Sequence, residues 1–381
     1  MEYTKLKCIN QYKSESINPA KTPDTVFEMY SVPIYETGHP EFLRGDEIAS
    51  NKAVVQKNDI LLCKINPRIN RVWVVSDESD KMNIASSEWI VIRNSEYNPE
   101  FLAWYFRTPK FQKLMTSEVT GIGGSLTRAQ PKCVAEYPVP VLDRVKQDEI
   151  VAILNKCKFV IESRKQELDA LDDLIKARFV ELFGDPQLNP FEWDVVNISE
   201  VVGGKVSNGF FAKRDDYTDT GNVSVLGVAN IVNRMYSKID DLPRTNADDK
   251  DIGKFAVRYG DMLFCRSSLV AEGIGKASII PEDVQENVLF ECHVIRLPLD
   301  LRKCVPEFMQ TLSTMDYFRN QVIAQSKTAT MTTIGQDGIL KTEIILPPIE
   351  KQKEFYDFVK QVDKSKVVVY LKYYLAHRKR V

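Results

Sequence analysis

Between Asp143 and Leu182 the chain has no glycine or proline, and apolar residues recur every three or four positions. Ile150, Ile153, Leu154, Cys157, Val160, Ile161, Leu168, Leu171, Leu174, Ile175, Phe179 and Leu182 form the stripe of one amphipathic helix. At 1.5 Å per residue such a helix is about 60 Å long, more than one small domain needs. Phe183-Gly184-Asp185-Pro186 supplies the stop, with glycine at the cap and proline beyond it. A second stripe runs from Glu350 to Lys379 through Phe355, Phe358, Val359, Val362, Val369, Tyr370, Tyr373 and Tyr374, less regular because of Val367-Val368-Val369. The two stripes bury their apolar faces most simply against each other, as an antiparallel coiled-coil pair.

The segments before each stripe have a different texture. Short β-prone runs, Val54-Val55, Ile60-Leu61-Leu62, Val72–Val75 and Trp89–Ile92, are separated by Asn, Asp, Gly and Pro. Pro99–Met115 reads as helix. In the second segment, Val223–Val228, Ala256–Cys265 and Val288–Ile295 read as strands, and Val305–Phe318 as helix.

These segments are copies of one another. Asn58-Asp59-Ile60-Leu61-Leu62-Cys63 returns as Gly260-Asp261-Met262-Leu263-Phe264-Cys265, and Asn98-Pro99-Glu100-Phe101-Leu102 as Val305-Pro306-Glu307-Phe308-Met309. Pro140-Val141-Leu142 with Lys146-Gln147 returns as Pro347-Pro348-Ile349 with Lys351-Gln352, and Glu2-Tyr3 with Leu6 as Glu192-Trp193 with Val196. The order is kept, and the offset stays between 190 (Glu2 to Glu192) and 207 (Asn98 to Val305). Solenoid repeats run about 20–50 residues, so each copy here is a whole domain.

Composition is that of ordinary globular domains, 44% hydrophobic and 27% charged, with a net charge of −2 that gives no global footprint for nucleic acid. The first long stripe carries eight Lys/Arg against nine Asp/Glu, which suits a solvent-flanked coiled coil rather than a membrane or DNA-backbone helix. No apolar run reaches the roughly 18 residues of a bilayer span, the start does not read as a signal peptide, and the expected location is cytoplasmic. Seven scattered cysteines without a Cys-x-x-Cys pair point to free thiols rather than disulfides or zinc, with Cys63 and Cys265 as buried small hydrophobes.

Catalytic motifs are wanting. There is no phosphate loop and no Gly-x-Gly-x-x-Gly turn; Gly121-Ile122-Gly123-Gly124, the nearest candidate, lacks the preceding strand and reads as a loop. His39, His293 and His377 fit no ligand pattern, and His293, in a strand-like run, reads as a core histidine. Glu282-Asp283 and Glu291-Cys292-His293 only imitate a nuclease site, and Asn189-Pro190-Phe191 lacks the second proline of a base-methyltransferase motif. No cofactor, metal or catalytic residue is assigned.

Both copies instead place polar and basic loops after the same strand. The first is Lys64-Ile65-Asn66-Pro67-Arg68-Ile69-Asn70-Arg71, and the second is Arg266-Ser267-Ser268 with Gly273-Ile274-Gly275-Lys276. Arg, Lys, Asn and Ser are the side chains that contact base edges and phosphates. Lys64, Asn66, Arg68, Arg71, Arg266, Ser267, Ser268 and Lys276 are therefore candidate DNA-binding residues. A second cluster adds Lys205, Lys213, Arg214, Asn230 and Arg234, diluted by Asp215, Asp216 and Asp219.

The chain resembles, over essentially its whole length, the specificity subunit of type I restriction–modification systems. The resemblance is carried by Leu182-Phe183-Gly184-Asp185-Pro186, by Gly260–Phe264 leading to Arg266 and Gly275-Lys276, and by the proline-rich entries Pro138–Leu142 and Leu346–Gln352. The first half departs from it, with Asn58 for the usual glycine and a basic loop in place of a Gly-x-Gly-Lys ending. The resemblance implies an α+β protein in which two similar globular α/β target-recognition domains are separated by two long helices forming an antiparallel coiled coil. The expected boundaries are residues 1–142 and 184–349 for the recognition domains, and 143–183 and 350–381 for the helices. It also implies a non-catalytic subunit whose domains each read one half of a bipartite target in double-stranded DNA. The helices would set the gap and dock two methyltransferase subunits, which bring S-adenosylmethionine; a motor–nuclease subunit completes the complex, and no membrane is involved. The alternative is a stand-alone DNA-binding or anti-phage accessory protein on the same scaffold.

Overall fold

A computed structural model describes residues 2–120 and 127–378, with side chains through residue 367. The Gly121–Gly124 run and the side chains of Val369, Tyr370, Tyr373, Tyr374 and His377 lie outside the described residues. The chain forms two compact units, Met1–Ile161 and Glu162–Val381.

In the first unit a five-stranded sheet runs in the order Ser16–Ile17, Lys52–Val54, Met82–Ala85, Val26–Tyr30 and Glu41–Arg44. A three-stranded antiparallel sheet has Ile60–Cys63 between Val72–Val74 and Trp89–Ile92. The middle strand is apolar throughout because both its faces are covered. Ile60 and Leu62 pack with Phe101, Leu102, Phe106 and Phe111 of the helical side. Leu61 and Cys63 pack with Tyr30, Trp73 and Trp89. Tyr3–Lys5 closes the unit by antiparallel pairing with Pro138–Pro140.

The second unit repeats this plan. Asp261–Cys265 lies between Val294–Pro298 and Ala277–Ile279 in a four-stranded sheet. Met262 and Phe264 face Phe308 and the long helices, while Leu263 and Cys265 face Phe290 and Val223. Val195–Asn197 pairs with Glu343–Ile345, the counterpart of the first unit's closing pair.

The first long helix is a single element, Arg144–Phe183, and the second is Ile349–Arg378. Gly184 ends the first in the left-handed region, φ 76°, where a Cβ would also lie 2.4 Å from the Pro190 ring. Within the second unit, Ile175, Phe179 and Phe183 of one helix share a core with Phe355, Val359 and Val362 of the other. Arg178 meets Glu354 at 3.0 Å and Asp172 meets Lys366, so numbering rises along one helix as it falls along the other: the pair is antiparallel. Among the described residues no helix is long and apolar enough to cross a membrane.

Several elements differ from the pattern reading. Pro99–Met115 is two helices, Pro99–Phe106 and Pro109–Ser117, because Thr108 caps the second and proline occupies its first turn. The counterpart likewise splits into Pro306–Ser313 and Asp316–Ala324. The Ala256–Cys265 strand begins only at Asp261, after a helix at Asp249–Phe255. Val228 opens a short helix rather than ending a strand. Val288–Ile295 breaks at Glu291–His293, where the chain leaves a parallel pairing with Val223–Leu226 and joins Asp261–Cys265 in the other sheet. His293 sits on that break and is exposed, not a core residue. Ile153 and Leu174, counted in the helical stripe, are also exposed.

Candidate nucleic-acid interface

The two candidate loops leave their units by the same local construction. Asn58 and Gly260 both adopt positive φ, 70° and 85°, a conformation that asparagine tolerates better than other side chains and glycine adopts freely. The next residue closes the turn: the Asp59 carboxylate accepts from the Gln56 N–H and the Asp261 carboxylate from the Arg258 N–H, each at 2.9 Å. The buried strand follows and ends in a cysteine whose thiol donates two residues ahead, Cys63 to the Ile65 carbonyl at 3.4 Å and Cys265 to the Ser267 carbonyl at 3.3 Å. Burial pushes both thiols above their ordinary pKa, so they stay protonated and serve as anchors for the loop start rather than as nucleophiles.

The supports diverge in one respect. Asp59 is held by an ion pair with Arg93 at 2.6 Å. Asp261 has no ion pair that close among the described residues, and burial raises its carboxyl above the usual carboxylate range.

In the first unit the loop is stitched to a hairpin formed by Val119–Thr120 and Arg128–Ala129. The Asn66 N–H donates to the Thr127 carbonyl at 2.8 Å, and the Ala129 N–H to the Lys64 carbonyl at 2.9 Å. Asn66 turns the chain at φ 46°, and its Oδ1 is buried without a partner among the described residues. Arg68 is exposed; Lys64 and Arg71 are half-buried, and Arg71 lies against the Cys63 thiol. Arg128, not singled out in the sequence, belongs to this surface but is paired with Glu88 at 3.2 Å.

In the second unit Ser267–Ser268 joins a small sheet with Thr332–Thr333 and Lys327–Thr328, the counterpart of the first unit's hairpin. Arg266 donates from Nη1 to the Cys292 carbonyl at 3.1 Å, which fixes its direction and leaves other donors of the guanidinium fork. Beyond Ser268 the loop tip exposes Leu269 and Val270. Lys327, Thr328, Thr333 and this apolar tip were not visible as site residues because they join the loop only through sheet pairing.

The second cluster does not come together as one group. Lys205, Lys213 and Arg214 are exposed, the latter two on a short turn where the Lys213 N–H donates to Asp216 at 2.8 Å. The Asn230 side chain is spent on its own turn, accepting from the Gly227 N–H at 3.0 Å and donating to the Lys238 carbonyl at 3.3 Å. Arg234 instead lines a cleft with Lys276. Among the described residues no group of three or more His, Cys, Asp or Glu is placed to hold a metal ion.

A family model for the type I restriction modification DNA specificity domain matches residues 190–368. No curated protein matches the chain. Among solved structures, it is similar to a chain from a study of complex assembly and conformational transition of the type I R-M system. That match has 18% identity and a TM-score of 0.52, covering 99% of this chain and 94% of the other. It is also similar to the type I restriction-modification system S subunit from M. genitalium, at 10% identity and a TM-score of 0.54, covering 100% of this chain and 93% of the other. Residues 190–368, within the second unit, thus match the type I restriction modification DNA specificity domain, and the fold along the chain is similar to that of these solved type I chains.

Proposed function

We propose that each unit reads one half of a bipartite DNA target, and that the long helices set the gap and dock two methyltransferase subunits. The observation that carries this reading is the duplication of the loop support, from the positive-φ residue through the capping aspartate to the thiol anchor. One chain thereby presents two loops built alike but different in sequence, which suits an asymmetric target.

The residues proposed to touch DNA are Lys64, Asn66, Arg68 and Arg71 in the first unit, and Arg266, Ser267, Ser268 and Lys276 in the second. Lys205, Lys213, Arg214, Asn230 and Arg234 would support the second. Arginine and asparagine suit base edges, and lysine suits phosphates. Half-sites one DNA turn apart are separated by about 34 Å. A helix of 40 residues, about 60 Å long, is sufficient to span that distance. Near-neutral charge is compatible with DNA binding if partner subunits supply much of the phosphate contact. The similar chain from a type I assembly study supports such partners, and a motor–nuclease subunit would complete the complex in the cytoplasm.

On this reading the chain alone neither methylates nor cleaves DNA. Methylation at a two-part motif should appear when a methyltransferase subunit is added. Robust activity from the isolated polypeptide, free of co-purifying protein, would contradict it.

A further inference from the structure

Within the second unit a cleft of about 340 Å³ opens between the first long helix, the 233–235 loop, Lys276 and the helices at Pro306–Ser313 and Asp316–Ala324. That is near the lower end of volumes that hold small ligands, about 300–1,000 Å³. Its charged lining is Asp172, Lys176, Arg234, Lys276 and Arg319. Asp172 is already engaged by Lys366, and Lys176 by Asp173 at 3.5 Å.

The other three cations have only neutral partners among the described residues. Lys276 donates to the Asn233 side chain at 2.7 Å, Arg319 to the Glu272 carbonyl at 3.0 Å, and Arg234 to the Val232 carbonyl at 3.4 Å. These contacts aim the side chains without neutralising them. Burial lowers the Arg319 pKa, the expected effect on a cation taken from water without a counter-charge. Among the described residues, two donors on this lining are also unpaired: Arg319 Nη1, and the hydroxyl of Thr311, a residue only 2% exposed. Leaving a buried donor unsatisfied is costly, more so when it is charged. A ligand carrying negative charge and several acceptor oxygens would remove that cost. Three cationic groups from three separate elements suit a tetrahedral oxyanion better than a planar carboxylate, which offers acceptors along one edge.

We propose that the cleft lined by Arg234, Lys276, Arg319 and Thr311 is a phosphate-binding site. Its phosphate is either a backbone group of bound DNA or part of a free phosphate-bearing molecule. Anion binding here does not depend on how the two units divide a DNA target, so it can be tested even if that reading fails.

The test has two arms on the full-length chain. Inorganic phosphate is titrated calorimetrically against the native chain, Arg319→Gln and Lys276→Gln, with unfolding curves confirming that each variant is folded. Arg319→Lys, which keeps the charge, serves as a second check on the half-buried position. Duplex DNA affinity is then measured across a salt series. A free-phosphate site predicts phosphate binding weakened about tenfold or more in both Gln variants, with DNA affinity unchanged in Arg319→Gln, which lies outside the proposed DNA contacts. A DNA-backbone site predicts weaker binding to all sequences alike in both Gln variants, with a salt slope shallower by about one. The proposal is overturned if folded Gln variants match the native chain in both arms, or if the native chain binds no phosphate while its DNA salt slope survives both substitutions.

Discussion

Gln147 and Gln352 make the same pair of hydrogen bonds in the two halves of the chain. Gln147 Oε1 accepts from the Asn98 N–H and its Nε2 donates to the Leu142 carbonyl, both at 2.8 Å. Gln352 Oε1 accepts from the Val305 N–H at 2.9 Å and its Nε2 donates to the Pro347 carbonyl at 2.7 Å. Each glutamine, 2% and 0% exposed, ties the first turns of a long helix to the residue that caps a domain helix.

Replacing either glutamine with leucine keeps the volume and strands a backbone donor and acceptor. Each substitution should cost about 2 kcal/mol in denaturant unfolding. Gln352→Leu should cost at least as much as Gln147→Leu, because Gln352 also donates to the Lys303 carbonyl at 3.1 Å. The two networks share no partner, so the double variant should be additive within about 0.5 kcal/mol. Neutral substitutions would show that these bonds do not hold the helices.

Short-range logic made this much of the plan legible. The Lys-Gln pairs, the Asn58 and Gly260 turns and the Gly184 stop are each fixed by residues next to one another, and pattern matching finds them. The break at Glu291–His293 was hidden because both sides are apolar: one half packs in each of two sheets, so the run reads as a single strand. Arg319 and Thr311 were missed because the cleft draws on segments distant in sequence, and nothing local distinguishes them. The Thr108-Pro109 break is legible in the sequence, because threonine caps and a proline in the first helical turn starts a helix rather than continuing one.

The antiparallel helix pair should depend on its aromatic seam far more than on its ion pairs. Phe179 is fully buried, with ring centroids 4.9 Å from Phe183, 5.3 Å from Phe308 and 5.5 Å from Phe355. Phe179→Ala should cost about 3–5 kcal/mol by denaturant unfolding. Glu354→Ala removes the Arg178 ion pair, whose partners are partly solvent-exposed, and should cost under about 1 kcal/mol. Equal costs would place the stability of the pair elsewhere.

Glu307 should make the second unit less stable as pH rises. It is fully buried, accepts from the Tyr236 hydroxyl at 2.9 Å, and burial holds its pKa above the ordinary 4.5. Between 4.5 and that raised value the folded state binds the proton that the unfolded chain releases, so stability falls with pH across this window. Glu307→Gln removes that decline: the variant should match the native chain below the window and equal or exceed it at neutral pH. Asp363, also raised by burial and placed near Tyr236 and Lys360, should leave a residual slope. A native chain that gains stability relative to Glu307→Gln as pH rises from 5 to 7 would reverse the sign and refute the assignment.

If the first long helix sets the gap, four residues inserted at exposed Ser163, about one turn or 6 Å, should change the spacing between half-sites. The bases within each half should stay the same. Sequencing of methylated DNA from the reconstituted complex reads both. Changed bases at an unchanged gap would remove the helix from the role of spacer.

The proposed function assigns one half-site to each unit. It is tested most directly by sequencing the methylated motif of complexes carrying substitutions in one unit only. Arg266→Ala should relax one or two positions of one half-site, since a base-edge contact is worth about 1–3 kcal/mol of discrimination. Lys64→Ala with Arg71→Ala should disturb only the other half. If either set relaxes both halves together, or both leave the motif intact, the two loops are not separate readers and the account fails.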